Sequence, residues 1–533
     1  MGQLTKQLIG KEDLSIQYNT NDPEQFSRLN SVGGTINLYQ IPDIWTGTGR
    51  INVGQILKAG EALLPWVDVR DYGAKGDGVT DDRAAIQAAI TACPTNGTVY
   101  IPESNYLLST FDAVNDCFLY IDKPMNFLGP GGKKAKFIIP DGAGIYDAVQ
   151  YIILAKSTNN VRISGIYLYG NDRTADTSKN IGIDLYLCDD SQIDNCIVER
   201  IMGSAMGTAG TSPAWGYRNT IKDNKILSGH RDGFAMQFQY FGKILNNYAE
   251  HVGPTDSGFP IIAEASYGVI IKNNFCTNNK QGIVALSSDD ALIEGNKITS
   301  DDPTGIWPSE SGIYVIGSRR VRVIGNYVYN VKGDAITLNP YGQATTKHII
   351  MGNTLNSIDT VGDFSNAGIG VRTSDNIISN NFIWDTGGNG ILLTTDTTPA
   401  LRNLVSNNFI YGNAPGAIVV GIKVEANSNY NILENNNIPS FNTPIIDAGT
   451  GTRKRGNTFS VSGAVSGRAI LVAGTVTVST TEIATGDNVI LSPFLLGGTP
   501  GYLNVGTIVN VTSFVINSSS NTDTSTIYWE IRH

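Results

Sequence analysis

The sequence predicts an all-β protein whose main body is a parallel β-helix. Three observations predict it: a composition hostile to long helices, a phrase recurring about every 26 residues, and period-2 apolar alternation inside each recurrence. Of 533 residues, 59 are Gly and 50 are Asn, only 16% are charged, and 41% are hydrophobic. An average soluble protein carries about 25% charged residues and about 7% Gly. A chain this poor in Lys and Glu, and this rich in Gly, Asn, Thr and β-branched residues, suits short strands joined by tight turns.

The recurring phrase is an apolar pair, a polar pair ending in Asn, and a second apolar pair. It reads QIDNCIV at 192–198, TIKDNKI at 220–226, KILNNYA at 243–249, VIIKNNFC at 269–276 and LIEGNKI at 292–298, and it runs on to KRGNTF at 454–459. Its register is marked by Asn195, Asn224, Asn247, Asn274, Asn296, Asn326, Asn353, Asn381, Asn408, Asn436 and Asn457. A second phrase, Gly followed by alternating apolar residues, lies between most of these, as in DGFAMQF (232–238), QGIVAL (281–286) and SGIYVI (311–316). One such unit cannot bury its inward side chains, but units stacked about 4.8 Å apart cover one another. Inward columns such as Phe234, Phe259, Ile283, Ile313, Ile369 and Ile391 are expected. The Asn residues are expected to stack at a turn, bonding rung to rung and tolerating the left-handed backbone region.

An open solenoid end exposes strand edges that need a cap. TDDRAAIQAAITAC (80–93) supplies the one clear amphipathic helix, near 81–92, with Thr80 or Asp81 as N-cap. Residues 463–533 lose the Asn phrase and nearly all charge, and they alternate as strands in RAILVAGTVTVSTTEI (468–483), NVILSPFLL (488–496), GTIVNVTSFVINSS (506–519) and TSTIYWEIRH (524–533). These features divide the chain into 1–65, a solenoid over 66–460 and a small β-sandwich over 461–533. The five Cys residues are odd in number and sit mostly in strand-like runs, so they read as buried thiols of a chain folded in a reducing cytosol.

VDVRDYGAKGDGVTDDRAAIQAAI…GTVYIPESNYLLS (67–109) resembles the leading segment of the pectate-lyase-like superfamily of right-handed β-helices. Where the family usually reads Ala-Gly-Thr-Tyr, this chain has Glu103-Ser104-Asn105-Tyr106, a departure confined to one turn. The segment is a fold signature and carries no catalytic residue across. Residues 1–65 resemble a short virion-anchoring module, and 463–533 resemble a C-terminal module of phage tail proteins. Together the three parts resemble a bacteriophage tail-spike depolymerase. That resemblance implies a homotrimer, a phage tail or baseplate partner at the N-terminus, a virion location, and action on a bacterial capsule, O-antigen or exopolysaccharide. No cofactor and no metal are implied.

A net charge of −10 leaves no basic face for nucleic acid or an anionic membrane, and no run approaches the 18 or so apolar residues of a membrane span. The N-terminus, made in the host cytoplasm on this reading, lacks a secretory leader. GAKGDG (73–78) lacks the Lys-Ser/Thr of a phosphate loop.

Candidate chemistry lies between 230 and 340. Two residues before the Gly that opens each strand stand Arg231, Asp256, Lys280 and Glu310, a column of alternating sign. Asp256 and Glu310 are two rungs apart, about 9.6 Å, near the upper limit for an inverting carboxylate pair. Asp232 neighbours Arg231, and Glu264 ends the strand after Asp256, with Asp289 and Asp290 one rung on. The expected catalytic set is Asp256, Glu310, Glu264 and Asp232, one carboxyl acting as general acid and another as base or nucleophile. His230, Arg231, Lys280, Asp289, Trp307, Tyr314 and Tyr341 are the expected substrate-binding residues, the aromatics stacking on sugar faces. Charged residues on a solenoid surface are ordinarily solvated turn residues, and Asp334 in KGDAITL reads as a substitute for the Gly of its rung.

Three functions stay open on the residues alone. An endo-acting hydrolase uses the carboxylates. A polysaccharide lyase uses His230, Arg231 or Lys280 to take the C5 proton of a uronic acid and neutralise its carboxylate. A non-catalytic tail protein only binds the glycan.

Overall fold

Stacking is the only way a chain of three- to seven-residue strands can cover its apolar side chains, and the computed structural model of the protein is built by it. It describes residues 66–140, 150–170, 180–253, 258–300, 311–341, 346–357, 367–384, 386–395, 398–412, 420–439, 443–460, 466–480 and 482–532, with short strands between residues 4 and 50. Contacts divide it into Met1–Val67 and Asp68–His533. The first unit contains a four-stranded antiparallel meander of Leu4–Ile9, Asp13–Tyr18, Phe26–Val32 and Thr35–Asn37.

The second unit is a right-handed parallel β-helix of three long sheets. The first sheet runs from Trp66–Asp68 to Arg453–Arg455 in 15 strands, and the second from Asp77–Asp81 to Thr458–Ser460 in 15. The third sheet runs from Cys117–Ile121 to Thr443–Asp447 in 13. The coil therefore begins well before the Asn phrase. Every coil strand pairs in parallel with its counterpart one turn away, so a column of side chains is one residue per turn. In the third sheet the inward column is Phe234, Ile261, Ile283, Ile313, Ile336, Ile369 and Ile391. Phe259 does not belong to it, because the strand there opens at Pro260–Ile261 and its Gly258 lies two residues too early.

The Asn phrase turns from the first sheet to the second. From Asn224 to Asn457 the side chains form a continuous buried ladder. Asn326 is typical: its Nδ2 donates to Ile293 O at 2.9 Å and Asn353 Oδ1 at 3.0 Å, and its Oδ1 accepts Asn296 N and Nδ2 at 2.9 and 3.0 Å. These side chains satisfy turn N–H groups that no strand can reach. The left-handed backbone conformation falls on the residue before each ladder Asn, at Asp223, Asn246, Asn273, Gly295 or Gly325, and not on the Asn itself. Asn195 is such a residue; the ladder place on its rung is taken by Cys196, whose N–H donates to Asn224 Oδ1 at 2.9 Å.

A second ladder lines the turn from the third sheet to the first. Hydroxyls of Ser266, Ser288 and Ser318 accept N–H groups of the preceding rung at 2.8–3.1 Å, and Asn376, Asn403 and Asn431 do the same further along. His348 sits among them: Nδ1 accepts Val321 N at 3.1 Å, while its buried Nε2 has no partner among the described residues. All five Cys are buried free thiols.

The helix spans Arg83–Ala92 and lies against the edge strand Cys117–Ile121 of the third sheet. Gln87 donates to Tyr120 O at 3.0 Å and accepts Tyr120 N at 2.9 Å, and Arg83 Nε donates to Phe118 O at 2.8 Å. Its N-cap position is Asp82, one residue beyond the expected Asp81, and makes no side-chain cap bond. Asp82 instead accepts the N–H groups of Lys75 and Gly76 at 2.5 and 3.0 Å, and Asp81 accepts those of Arg83 and Ser109. At the other end, Ser466–Ile470, Asn488–Leu495 and Thr526–Arg532 form one antiparallel sheet; Thr475–Ser479, Leu503–Val509 and Ser513–Ser518 form another. They share a core of Leu471, Val478, Ile483, Phe514, Ile516, Ile527, Trp529 and Ile531.

Asn326→Ala removes four ladder bonds and leaves buried backbone and amide groups unpaired, so it is expected to cost roughly 2–4 kcal/mol, read as a lowered Tm with the same circular dichroism spectrum; an unchanged Tm contradicts the ladder's role. Burial holds the His348 imidazole down at about 3, against an ordinary value of 6.5. The unfolded chain therefore binds the extra proton first, and this site's contribution is intact above about pH 6.5 and lost as pH falls towards the folded value. His348→Asn, which presents an Oδ1 to Val321 N as its neighbours do, is expected to remove about 3 kcal/mol of acid lability at pH 4, checked by comparing Tm against pH for the two proteins.

Candidate active site on the third sheet

Along the third sheet the side chains opposite the inward column face out, and through the middle rungs they are mostly small or apolar. Gly207, Ala235, Ile262 and Val284 occupy successive turns. One turn earlier the same column holds Asp184, which is buried; along these four rungs the carboxyls stand at the two ends of the strands.

Asp232 stands two residues before the strand Phe234–Gln237. It is half-buried and accepts Phe259 N at 3.1 Å and the Ser204 hydroxyl at 3.4 Å. Burial pushes its pKa above the usual carboxylate range; the Phe259 N–H and the Arg231 guanidinium pull it down, and the negative charge of Glu264 pushes it up. Glu264 is the last residue of Ile261–Glu264 and registers with Gln237, whose amide donates to its Oε2. The pair therefore spans one strand length across neighbouring rungs, close enough for one charge to raise the other's proton affinity.

The remaining candidates are spread around this pair. Arg231 is exposed; His230 is half-buried, its N–H held by Ile201 O at 2.9 Å. Lys280 is half-buried, its N–H on Val252 O at 3.1 Å. Asp289 lies in the turn after the third sheet and binds Arg319, with Nε at 2.8 Å and the Arg319 N–H at 2.8 Å, which neutralises it away from Glu264. Tyr314 faces out from the third sheet and accepts the Ser311 hydroxyl at 2.5 Å, while Tyr341, 75% exposed, occupies a turn. Asp256, Trp307 and Glu310 lie outside the described residues.

Of the expected column of alternating sign, Asp256 and Glu310 lie outside the described residues; Gly258 packs on the Arg231 carbonyl, and the strand of its rung starts two residues later than that Gly suggests. Asp334 likewise does not replace a Gly: Ala335 registers with Gly312, and Asp334 with Ser311. Its buried carboxyl accepts Thr337 Oγ1 at 2.8 Å, Ala367 N at 2.7 Å and Arg372 Nη1 at 3.4 Å. Burial pushes Asp334 up and Arg372 pulls it back, an arrangement that ties two neighbouring rungs together.

Two features escaped the sequence reading. Asp184, in the strand Asn180–Tyr186, is only 3% exposed, and burial pushes its pKa up to about 7. It registers with Gly207, where a Cβ would sit 3.3 Å from its Oδ1, and that oxygen has no partner among the described residues. In NIGIDLY it reads as an ordinary outward polar residue. The second is a group of aromatic rings, Trp215, Tyr217, Phe238, Tyr240, Phe241 and Tyr267, in the turn that follows Gln237 and Glu264. The repeat of aromatics at Tyr217, Tyr240 and Tyr267, spaced 23 and 27 residues apart, was the available signal. Among the described residues no cluster of three His, Cys, Asp or Glu is arranged to hold a metal ion.

Residues 66–306 match the family model of rhamnogalacturonase A/epimerase, pectate lyase-like. That match covers the N-terminal part of the coil. Residues 463–532 match the C-terminal domain of K1 capsule-specific polysaccharide lyase. Mannuronan C5-epimerase AlgE2 of Azotobacter vinelandii is 29% identical over 255 residues, 45% of this chain and 25% of that protein. The preneck appendage protein of Bacillus phage PZA is 25% identical over 311 residues, 54% of this chain and 33% of that protein. The chain thus spans about a quarter to a third of these relatives' length. Among solved structures, a tailspike protein of E. coli bacteriophage HK620 superposes with a TM-score of 0.56 at 12% identity, over 88% of this chain and 93% of that one. A GH87 α-1,3-glucanase catalytic unit of Streptomyces thermodiastaticus superposes with a TM-score of 0.51 at 16% identity, over 77% and 71%. These superpositions show the shared fold.

Proposed function

We propose that this protein is a phage tail spike that binds and cleaves a bacterial surface polysaccharide, and that cleavage is endo-glycosidic hydrolysis by a carboxylate pair on the third sheet. The observation that carries the reading is Asp232: an acid that burial holds above its ordinary pKa, with the Glu264 carboxylate of the next rung adding to the shift. Asp232, whose burial favours the protonated form, gives its proton to the glycosidic oxygen as the bond to the anomeric carbon breaks. Glu264, positioned by Gln237, takes the proton of the attacking water or attacks the anomeric carbon itself. Arg231 and Lys280 suit an acidic sugar, and His230, Tyr314, Tyr341 and Asp289 flank the path. Asp256, Glu310 and Trp307 lie outside the described residues, and either acid remains a candidate second member of the pair.

The relatives favour a second reading. Mannuronan C5-epimerase, alginate lyase and a capsule-specific polysaccharide lyase are named for epimerase and lyase activities, and His230, Arg231 and Lys280 are the base and cation candidates that β-elimination needs. Ultraviolet absorbance of an unsaturated uronic product decides for the lyase; new reducing ends without it decide for the hydrolase. A purely adhesive role is supported by superposition on the surface adhesin PfbA of Streptococcus pneumoniae, TM-score 0.50.

We also propose a virion location, with Met1–Val67 towards the phage tail, and a homotrimer closed by the C-terminal sandwich, where Ile470, Val472, Phe494, Leu495, Leu496 and Tyr502 leave large apolar area exposed. Light scattering at micromolar concentration is expected to give three chains; one chain refutes it. Asp232→Asn and Glu264→Gln are each expected to lower depolymerisation of the host glycan at least 100-fold with assembly unchanged, and full rates in both remove the proposed pair.

A further inference from the structure

The turn from the third sheet to the first carries a row of partly exposed aromatic rings. Strand-like pairing fixes it: Gly216–Tyr217 pairs in parallel with Gln239–Tyr240, and bridges join Tyr240 to Tyr267, Asp189 to Tyr217 and Tyr267 to Asp289. One ring per turn therefore stands above the next. Tyr217 and Tyr240 stack at 5.0 Å with planes 18° apart; Trp215 lies 4.5 Å from Tyr240, and Tyr267 lies 5.9 Å from both Tyr240 and Phe241. Tyr217, Phe241 and Tyr267 remain 38%, 50% and 37% exposed. Leaving this much rigid aromatic surface in water forgoes a large burial term, so its retention points to a ligand.

We propose that this row is a glycan-stacking subsite, which takes two consecutive pyranose rings of the polysaccharide chain as it leaves the carboxylate pair. The proposal rests on the polysaccharide reading above. Three turns at about 4.8 Å span roughly 10 Å, the length of two linked sugar rings. Pyranose rings present apolar C–H faces and hydroxyl edges, and the row matches both. Aromatic faces lie in the middle, and carboxylate–guanidinium pairs stand at either end: Asp190 with Arg218 at 2.6 Å, and Asp290 with Arg320 at 2.7 Å. The row is also continuous with the site. Phe238, the residue after Gln237, donates its N–H to Glu264 O at 3.1 Å and lies 5.8 Å from Trp215. A chain bound at Glu264 therefore meets the rings three residues further along the same rungs.

The test uses the full-length protein and an array of purified bacterial capsular and O-antigen polysaccharides, read for binding and for oligosaccharide release. Tyr217→Ala, Phe241→Ala and Tyr267→Ala are each expected to weaken binding to the recognised polysaccharide at least tenfold, with Tm unchanged. Tyr217→Phe, which keeps the ring, is expected to restore it. A structural role alone predicts the reverse, a lower Tm with affinity intact. Wild-type binding that all three alanine variants retain overturns the subsite and leaves the depolymerase reading standing. Failure of the wild type to bind any polysaccharide of the array overturns both.

Discussion

Parallel in-register pairing between one turn of the coil and the next is the constraint from which the rest of the structure follows. It makes each position in a rung repeat in space about every 4.8 Å. A favourable side chain is then favourable again one turn later, and an unfavourable one is as quickly multiplied. Apolar residues can fill the interior at any register. The turns cannot be treated so loosely, because their N–H and C=O groups have no strand to pair with. The buried Asn ladder answers that need: each amide donates to the rung before and to the rung after. Ser hydroxyls and later Asn amides meet it at the opposite corner.

Successive ladder residues are separated by as few as 21 and as many as 30 positions, yet their hydrogen-bond lengths hardly change. The variation is absorbed on both sides of the third sheet: after it, five residues separate Leu286 from Leu292 and ten separate Leu393 from Leu404. The corner between the first and second sheets is thus held at fixed geometry, and the two ends of the third sheet are where length and composition are free to differ. Function belongs where the fold tolerates variety.

Much of this was legible in the sequence, and the failures are informative. The Asn phrase and the Gly-led alternation revealed the stacked coil, and the strand-like runs around the Cys residues revealed the buried thiols. They misplaced details wherever a single residue type stood for a geometry. Asn195 was taken for a ladder residue, since an Asn suits both the ladder and the left-handed position before it, and only the Asn224 carbonyl's bond to Cys196 separates the two. Gly258 was taken to open a strand that begins at Ile261, two residues later than expected. Asp334 was taken for a Gly substitute and is a buried ion-pair partner of Arg372. Asp184 left no trace, because burial on an outward face depends on what covers it and no spacing encodes that.

The placement of the acids follows from the same physics. An isolated carboxyl within the apolar stretch of the third sheet is expensive to ionise, as Asp184 demonstrates by holding its proton up to about pH 7. An acid fully exposed beyond the strand ends keeps an ordinary pKa and has no reason to share a proton. Asp232 lies between these limits: sheltered enough for burial to raise its pKa, wet enough to exchange its proton, and within reach of Glu264's charge. The rim of the sheet, where apolar columns give way to turns, is where such intermediate environments recur with every rung. It is also where a polymer lying along the coil meets successive copies of the same position. A linear glycan presents its own repeat to that rim, so a solenoid can hold an acid, a base and a row of rings in fixed order along the chain being cut, using neighbours in space that lie some two dozen residues apart in sequence.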